Sequence, residues 1–69
     1  MEMIPVASRN VEAVGYDSSN RWLDIRFKSG GLYRYFEVPS YEHQQLMAAA
    51  SKGSYHARNI KERYEYVRL

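Results

Sequence analysis

The fold of this chain is decided by the stretch Leu32-Tyr33-Arg34-Tyr35-Phe36-Glu37-Val38-Pro39 and by the run that leads into it, residues 21–28. In that run Leu23, Ile25 and Phe27 alternate with a tryptophan and charged residues, a period of two that is typical of a strand with one buried face. The quoted stretch is rich in aromatic residues, which favour strands. Residues 21–38 therefore predict a β-hairpin.

The turn of this hairpin contains Ser29-Gly30-Gly31, and its length decides which side chains are buried. A two-residue turn at the glycines would bury Arg34 and expose Tyr33 and Tyr35. A three-residue turn, with Gly31 in the left-handed conformation, would bury both tyrosines instead. Because an unpaired buried charge costs far more than a phenol whose hydroxyl finds a partner, we predict the three-residue turn. The predicted cross-strand pairs are Phe27 with Tyr33 and Ile25 with Tyr35.

A further strand is predicted before the hairpin. Residues 11–16 alternate in the same way, with Val14 and Tyr16 facing the core. A loop of two or four residues after this strand, rich in turn-forming residues, pairs these two side chains with Ile25 and Leu23 of the hairpin.

After Pro39 the spacing of apolar residues changes from that of a strand to that of a helix. Ser40 is predicted as the N-cap of a helix over residues 41–50, and Gly53 as its C-terminal cap. The apolar face of this helix is predicted to consist of His43, Leu46, Met47 and Ala50.

Shorter segments flank these elements. Residues 54–59 predict a short second helix, and residues 64–68 form either a last strand or an extended tail. Residues 1–7 are predicted as an arm that is at most an edge strand, because its proline cannot donate to a ladder. We therefore predict a single α+β domain over residues 1–69, of which residues 8–66 are the domain proper. It is a three-stranded antiparallel meander that a fourth strand can extend, packed by one main helix and a short second helix.

Composition excludes several classes of function. The 69 residues include no cysteine, which excludes a disulfide framework and thiolate chemistry. No apolar run is long enough to span a membrane, so the expected location is the cytoplasm. The sequence contains no metal-ligand spacing, phosphate-binding loop or nucleophile motif, so we expect no metal, no cofactor and no catalytic residues. His43 and His56 are the remaining acid–base candidates for RNA cleavage, but nothing in the sequence brings them together.

The net charge is only +2, but the cations are concentrated in two segments. Residues 21–36 carry four Arg and Lys against one Asp, and residues 52–69 carry five against two Glu. Residues 1–20 and 37–51 are each net acidic. This asymmetry favours an anionic partner, the alternative being an ordinary solvated surface.

Several ordered motifs give the chain a resemblance to a known family. They are Val14-Gly15-Tyr16-Asp17, Leu23-x-Ile25-x-Phe27-x-x-Gly30, Tyr33-x-Tyr35-x-x-Val38-Pro39, and Ser51-Lys52-Gly53-x-Tyr55 with Ile60. From Ser8 to Tyr66 the sequence resembles the KTSC domain, which is named for the C-terminus of some lysyl-tRNA synthetases and occurs as small free-standing bacterial and phage proteins. The resemblance implies RNA binding and assigns no catalytic residues. The chain departs from the family pattern at Tyr41-Glu42-His43, where an apolar residue followed by Tyr is expected. Because of this departure, the resemblance does not fix the residue at which the first helix starts.

The outer face of the predicted sheet interleaves rings with cations, as sheet-based binders of single-stranded RNA do. Its candidate residues are Trp22, Arg26, Lys28, Arg34 and Phe36. A second basic set, which can follow a phosphate backbone, consists of Lys52, Arg58, Lys61 and Arg63. In the alternative, the C-terminal tail or the N-terminal arm covers Trp22 and Phe36, and the second set is a solvated helix face.

We therefore expect a non-enzymatic module that binds RNA weakly. Tyr33 and Tyr35 are expected to be structural residues of the core. The alternative is a protein-interaction module that uses a sheet edge or an apolar patch on a partner or a second copy. A small nuclease is a third hypothesis. The salt dependence of the affinity distinguishes the first two hypotheses, because RNA binding through phosphates weakens steeply as salt is added and binding through apolar contacts does not.

Overall fold

Five antiparallel strands form one sheet, and the helical segments pack on one of its faces. A computed structural model describes residues 1–69 and places the strands in chain order across the sheet. The elements are β1 (Met3–Pro5), β2 (Val11–Asp17), β3 (Trp22–Phe27), β4 (Leu32–Tyr35), α1 (Ser40–Ala48), α2 (Lys52–Tyr55), a π-helical segment (His56–Ile60) that continues α2, and β5 (Tyr66–Arg68). The predicted α+β class is confirmed, and the predicted three-stranded meander is the centre of a wider sheet. We call the sheet face that packs against the helices the inner face and the opposite one the outer face.

The hairpin between β3 and β4 has a three-residue turn, but this turn begins one residue earlier than predicted. The Phe27 N–H donates to the Gly31 carbonyl at 2.8 Å, and the Gly30 N–H donates to the Phe27 carbonyl at 2.9 Å. The turn is therefore Lys28-Ser29-Gly30, and Gly30 rather than Gly31 takes the positive φ, 116°. Gly31 is needed for a different reason, since a Cβ there would lie 2.5 Å from the Tyr33 ring.

This one-residue difference moves the cross-strand pairing by two positions. Leu23 lies opposite Tyr35 and Ile25 lies opposite Tyr33, so the predicted pairs were wrong. Because side chains alternate between the two faces, a shift of two positions returns each side chain to its predicted face. Tyr33 and Tyr35 both lie on the inner face; Tyr35 is 2% exposed and Tyr33 is half-buried.

The predicted pairing between β2 and β3 is confirmed, with Val14 opposite Ile25 and Tyr16 opposite Leu23. The loop that joins them has four residues, 18–21. Asp17 stabilises this loop, because its carboxylate accepts hydrogen bonds from the backbone and side chain of the asparagine three residues later. These hydrogen bonds lower the pKa of Asp17.

The two edge strands, β1 and β5, extend the meander. β1 lies along β2, and its proline is at the free edge of the sheet, as its missing N–H requires. Met3 packs over Gly15 on the outer face, where a Cβ would lie 2.6 Å from the Met3 sulfur. At the other edge β5 lies along β4, so the C-terminal segment is a last strand rather than a free tail.

The core lies between the inner face and the helical segments. Its members share near-complete burial, and each contributes about 1.5–3 kcal/mol by leaving water. They are Val11, Val14, Leu23, Ile25, Tyr35, Val38, Leu46 and Ile60.

The first helix is shorter than predicted and begins one residue earlier. Ser40 is its first residue, so the predicted N-cap lies inside the helix, and Pro39 at the cap offers no side-chain hydrogen bond. At the other end Ala49 leaves the helix with an extended backbone, φ −68° and ψ 139°. None of the helices is long and apolar enough to cross a membrane.

The predicted apolar face of α1 is correct at Leu46, which is fully buried, and at the half-buried His43 and Met47. Ala50 lies outside the helix and is exposed, and Glu42 is buried instead. The residue predicted as the C-terminal cap, Gly53, is within α2. Its missing side chain is explained by close packing, because a Cβ there would lie 2.9 Å from the amide nitrogen of Asn10.

Candidate nucleic-acid interface

On the outer face the structure brings Trp22, Arg34 and Phe36 together, but it also neutralises the cation. Arg34 Nε donates to Asp24 Oδ1 at 2.9 Å and Nη2 donates to Oδ2 at 3.0 Å. These hydrogen bonds raise the pKa of Arg34. The guanidinium also lies 4.1 Å from the centre of the Trp22 ring, which meets Phe36 edge to face. Arg34 is therefore held in a bidentate pair with a carboxylate that is only 4% exposed.

The C-terminal segment runs along the edge of β4 and lies beside Phe36, which lines a cleft with Tyr64 and Glu65. Trp22 is half-buried and contacts Phe36 and Arg34. Arg26 lies on the same face opposite Leu32 and has no ion-pair partner.

The members of the second predicted basic set differ in their partners, and two of the four are engaged within the protein. Lys52 Nζ donates to the Ala49 carbonyl at 2.9 Å and so closes the end of α1. Arg63 lies 3.7 Å from a carboxylate oxygen of the buried Glu42. Arg58 and Lys61 are exposed and have no ion-pair partner.

A trough lies at the turn end of the hairpin, between the inner face of the sheet and the π-helical segment. It consists of two adjoining clefts of about 410 and 270 Å³ that share the lining residues Phe27, Ser29, His56 and Lys61. We call the larger cleft the polar lobe and the smaller one the aromatic lobe. The trough is completed by Arg9, Asn10, Lys28, Gly53 and Ala57 in the polar lobe and by Tyr33, Tyr35 and Tyr66 in the aromatic lobe.

Packed rings build the aromatic lobe. Phe27 and Tyr33 meet edge to face with their centres 5.7 Å apart. Tyr66 of β5 lies 5.8 Å from Tyr33 and 5.5 Å from Tyr35, and it is 51% exposed. The strand pairing that places Tyr66 beside these tyrosines thus leaves one ring of the lobe open to solvent.

His56 forms the floor between the two lobes. Its Nε2 and the Tyr35 hydroxyl are joined by a hydrogen bond of 2.6 Å, and its ring meets Phe27 at 5.0 Å. Burial lowers the pKa of His56, and the nearby Lys61 ammonium lowers it further. Burial also raises the pKa of Tyr35 to about 12, so both groups are neutral near pH 7.

The cations of the trough are unpaired. Arg9, Lys28 and Lys61 make no salt bridge, and no Asp or Glu lines either lobe. The trough therefore combines three free positive charges with several aromatic rings, which is the combination that binders of single-stranded nucleic acid use.

A buried carboxylate anchors the segment that carries His56. Glu42 of α1 is 2% exposed and accepts hydrogen bonds from the hydroxyls of Tyr55 and Tyr64, the latter at 2.8 Å. Burial and these hydrogen bonds raise the pKa of both tyrosines to about 12. Because Tyr55 precedes the π-helical segment and Tyr64 follows it, Glu42 fixes both of its ends.

The two histidines do not form a catalytic pair. His43 stacks on Tyr16 with ring centres 4.7 Å apart, whereas His56 contacts Tyr35 and Phe27. No group of three or more His, Cys, Asp and Glu is placed to hold a metal ion.

Sequence reasoning assigned Lys28 and Lys61 to nucleic-acid contacts but missed the remainder of the trough. The sequence predicts Phe27 for the buried face of its strand, and it gives no partner for His56 and no signal for Arg9. The one available signal was the aromatic character of the last strand, which places Tyr66 beside Tyr33 once the C-terminal segment is paired with the hairpin.

Three comparisons with known proteins indicate the same family for this chain. The family model of the KTSC domain matches residues 7–64. A protein of Tsukamurella paurometabola is 40% identical over 67 residues, which are 97% of this chain and 100% of that protein. A lysine–tRNA ligase of Nostoc sp. is 36% identical over 59 residues, 86% of this chain but only 10% of the ligase. The crystal structure of a KTSC domain protein from Yersinia pestis superposes with a TM-score of 0.96 at 37% identity, covering 99% of this chain and 96% of that one.

Proposed function

This chain belongs to the KTSC domain family, and on that basis we propose that it is a non-enzymatic module that binds single-stranded RNA weakly. The observation that carries the proposal is the trough, where Arg9, Lys28 and Lys61 have no carboxylate partner and lie beside a cluster of packed rings, one of which, Tyr66, is exposed. Bases stack on such rings, and unpaired cations meet phosphates. The similarity to a segment of a lysine–tRNA ligase, an enzyme that acts on tRNA, supports RNA as the ligand. A ligand of this kind would place the protein in the cytoplasm.

The trough continues into a groove that offers room for neighbouring nucleotides. A third cleft of about 530 Å³ adjoins the polar lobe at Arg9, Asn10 and Gly53 and is otherwise lined by small residues. It is the largest cleft of the molecule, but it has one cation and no aromatic ring. We therefore assign it to the path of the backbone rather than to recognition of a base.

The number of free cations bounds the affinity. Three phosphate contacts on a single strand give a slope of log affinity against log salt of about −2. With a net charge of only +2, we expect micromolar or weaker binding at moderate salt.

The test is a titration of short single-stranded RNA, followed by backbone amide chemical shifts at low salt. We expect the largest shifts in the turn Lys28-Ser29-Gly30 and around His56 and Lys61. A double variant, Lys28→Gln with Lys61→Gln, should bind about tenfold more weakly, because two phosphate contacts are lost. The matched variant Arg26→Gln with Arg58→Gln removes the same charge outside the trough, leaves the pair of Arg34 and Asp24 intact and should change affinity much less. If no RNA causes shifts at low salt, where the phosphate contribution is largest, the proposal fails.

Protein interaction through the outer face is the second candidate function. Val67 is exposed on the same face as the half-buried Trp22 and Phe36, and β5 offers a free strand edge. Trp22 is the only tryptophan of the chain, so its fluorescence reports on this face. Binding of a partner that changes Trp22 emission and is insensitive to salt would favour this second function.

A further inference from the structure

We infer that the trough is a binding site for one nucleoside phosphate, with the base in the aromatic lobe and the phosphate in the polar lobe. The inference deepens the proposed RNA-binding function and rests on it, since it names the unit of the ligand that is recognised.

The two lobes differ in their chemistry. The polar lobe has three cations, Arg9, Lys28 and Lys61, and, apart from the His56 imidazole that lines both lobes, a single aromatic ring. The aromatic lobe has four rings and a single cation, Lys61. A ligand that satisfies both must carry an anionic group at one end and a flat ring at the other. A nucleoside phosphate has this polarity, whereas inorganic phosphate and an uncharged aromatic compound each match only one lobe.

The dimensions fit one such unit. Clefts that hold small molecules measure roughly 300–1,000 Å³, and the two lobes, at about 410 and 270 Å³, together fall in this range. The lobes adjoin at Ser29 and Lys61, which line both, so the base and the phosphate of one nucleotide can lie on either side of these side chains. The Ser29 hydroxyl makes no hydrogen bond within the protein and is shared by both lobes, where it can meet the sugar or an edge of the base.

The rings are placed for stacking. Tyr66 exposes about half of its surface, and its inner side rests against Tyr33 and Tyr35, so its ring is held in place while one face stays available. The Arg68 guanidinium lies 5.7 Å from the centre of the Tyr33 ring and adds positive charge beside this lobe. His56 and Tyr35 bond to one another, so they form a neutral, rigid floor rather than a source of charge.

The experiment titrates the labelled protein at low salt with adenosine 5′-monophosphate, uridine 5′-monophosphate, adenosine and inorganic phosphate. Both nucleotides should shift amides of residues 27–33 and 56–61. Each should bind at least about tenfold more tightly than adenosine or phosphate alone, because stacking and phosphate contact add. Phosphate binding as tightly as the nucleotides would overturn the inference, since the trough would then be only an anion site.

Two pairs of variants separate the lobes. Tyr66→Ala should weaken nucleotide binding about tenfold and leave phosphate binding unchanged, while Tyr41→Ala, an equally exposed tyrosine outside the trough, should change neither. Lys61→Gln should weaken both ligands, and Arg58→Gln, an exposed cation outside the trough, should weaken neither. Because Tyr66 and Lys61 are exposed, their variants are expected to fold, and thermal melting checks this. Equal effects of Tyr66→Ala on phosphate and nucleotide would contradict the assignment of the lobes.

A single-stranded RNA hexamer distinguishes this inference from the proposed function. Trough shifts with both the hexamer and the mononucleotides support both proposals and identify the strand as the source of the nucleotide. Trough shifts with mononucleotides alone support the inference, identify a free nucleotide as the ligand and overturn RNA binding. Hexamer binding without mononucleotide binding in the trough overturns the inference and leaves the proposed function standing.

Discussion

The outer face and the trough both place Arg or Lys beside aromatic rings, yet they differ in what the cations do. On the outer face Arg34 is bound at both ends of its fork by Asp24 and lies over Trp22. In the trough, Lys28 and Lys61 face no carboxylate. The residue types are the same, but one set is already satisfied within the protein. Availability of a cation therefore depends on its partners, and composition alone does not reveal it.

The largest expected effect concerns the floor of the trough. Tyr35→Ala should lower the free energy of unfolding by about 3–5 kcal/mol, because Tyr35 is fully packed and also bonds to His56. Trp22→Ala on the outer face should cost less, since that ring is only half-buried. Urea denaturation measures both, with the exposed Tyr41→Ala as control. Equal losses for Tyr35 and Trp22 would show that the two surfaces are built alike.

A second change loosens the trough without touching the outer face. Glu42→Ala removes the acceptor of the Tyr55 and Tyr64 hydroxyls and should lower the free energy of unfolding by about 2–3 kcal/mol. Hydrogen exchange should accelerate in residues 56–60 more than in β3, because Glu42 fixes the ends of the π-helical segment. Glu62→Ala, which removes an exposed carboxylate, serves as the control. Uniform acceleration across the sheet would contradict this role.

Much of the architecture could be predicted because successive side chains of a strand alternate between the two faces of the sheet, so the period of two in the sequence shows which side chains are buried. The turn of the central hairpin was placed one residue late, since two adjacent glycines can each take the positive φ, but Tyr33 and Tyr35 kept their inner positions. The ends of α1 were less predictable. Ser51 follows the predicted helix over residues 41–50, yet it is the N-cap of a second helix, where its hydroxyl accepts a hydrogen bond from the Ser54 N–H.

The trough could not be predicted, because its cations come from separate parts of the chain. Arg9 precedes β2, Lys28 lies in a turn and Lys61 follows the π-helical segment. Only the packing of the helices on the sheet brings them together. Glu42 was missed for a similar reason, since its two hydroxyl partners lie 13 and 22 residues away in the chain.

The third prediction converts the outer face into a surface that resembles the trough. Asp24→Asn removes the negative charge that holds Arg34, so it should lower the free energy of unfolding by about 1.5 kcal/mol. The released guanidinium should strengthen RNA binding about twofold to fivefold, since it adds one phosphate contact. We expect Trp22 fluorescence to be unchanged by RNA in the wild-type protein and to respond to RNA in this variant. Glu12→Gln removes an exposed carboxylate of β2 and controls for net charge.

The smallest expected effect is a dependence of stability on pH that arises from the two histidines. Burial lowers the pKa of His43, which stacks on Tyr16, and burial together with Lys61 lowers the pKa of His56. In the unfolded chain both take up a proton near their ordinary pKa of 6.5, whereas in the folded protein they do so only at lower pH.

The unfolded state therefore binds more protons in the interval below pH 6.5, and the sign of the effect follows. The free energy of unfolding should be at its full value above pH 6.5 and should fall as the pH drops toward the folded-state pKa values. Urea denaturation between about pH 7.5 and about pH 5 measures this. His43→Gln should flatten the profile with little loss of packing, because His43 makes no hydrogen bond through its side chain. A flat profile in the wild-type protein would show that neither histidine is protected from protonation by folding. An equally steep profile in the variant would show that His43 does not contribute, and the slope would then be assigned to His56 in the trough.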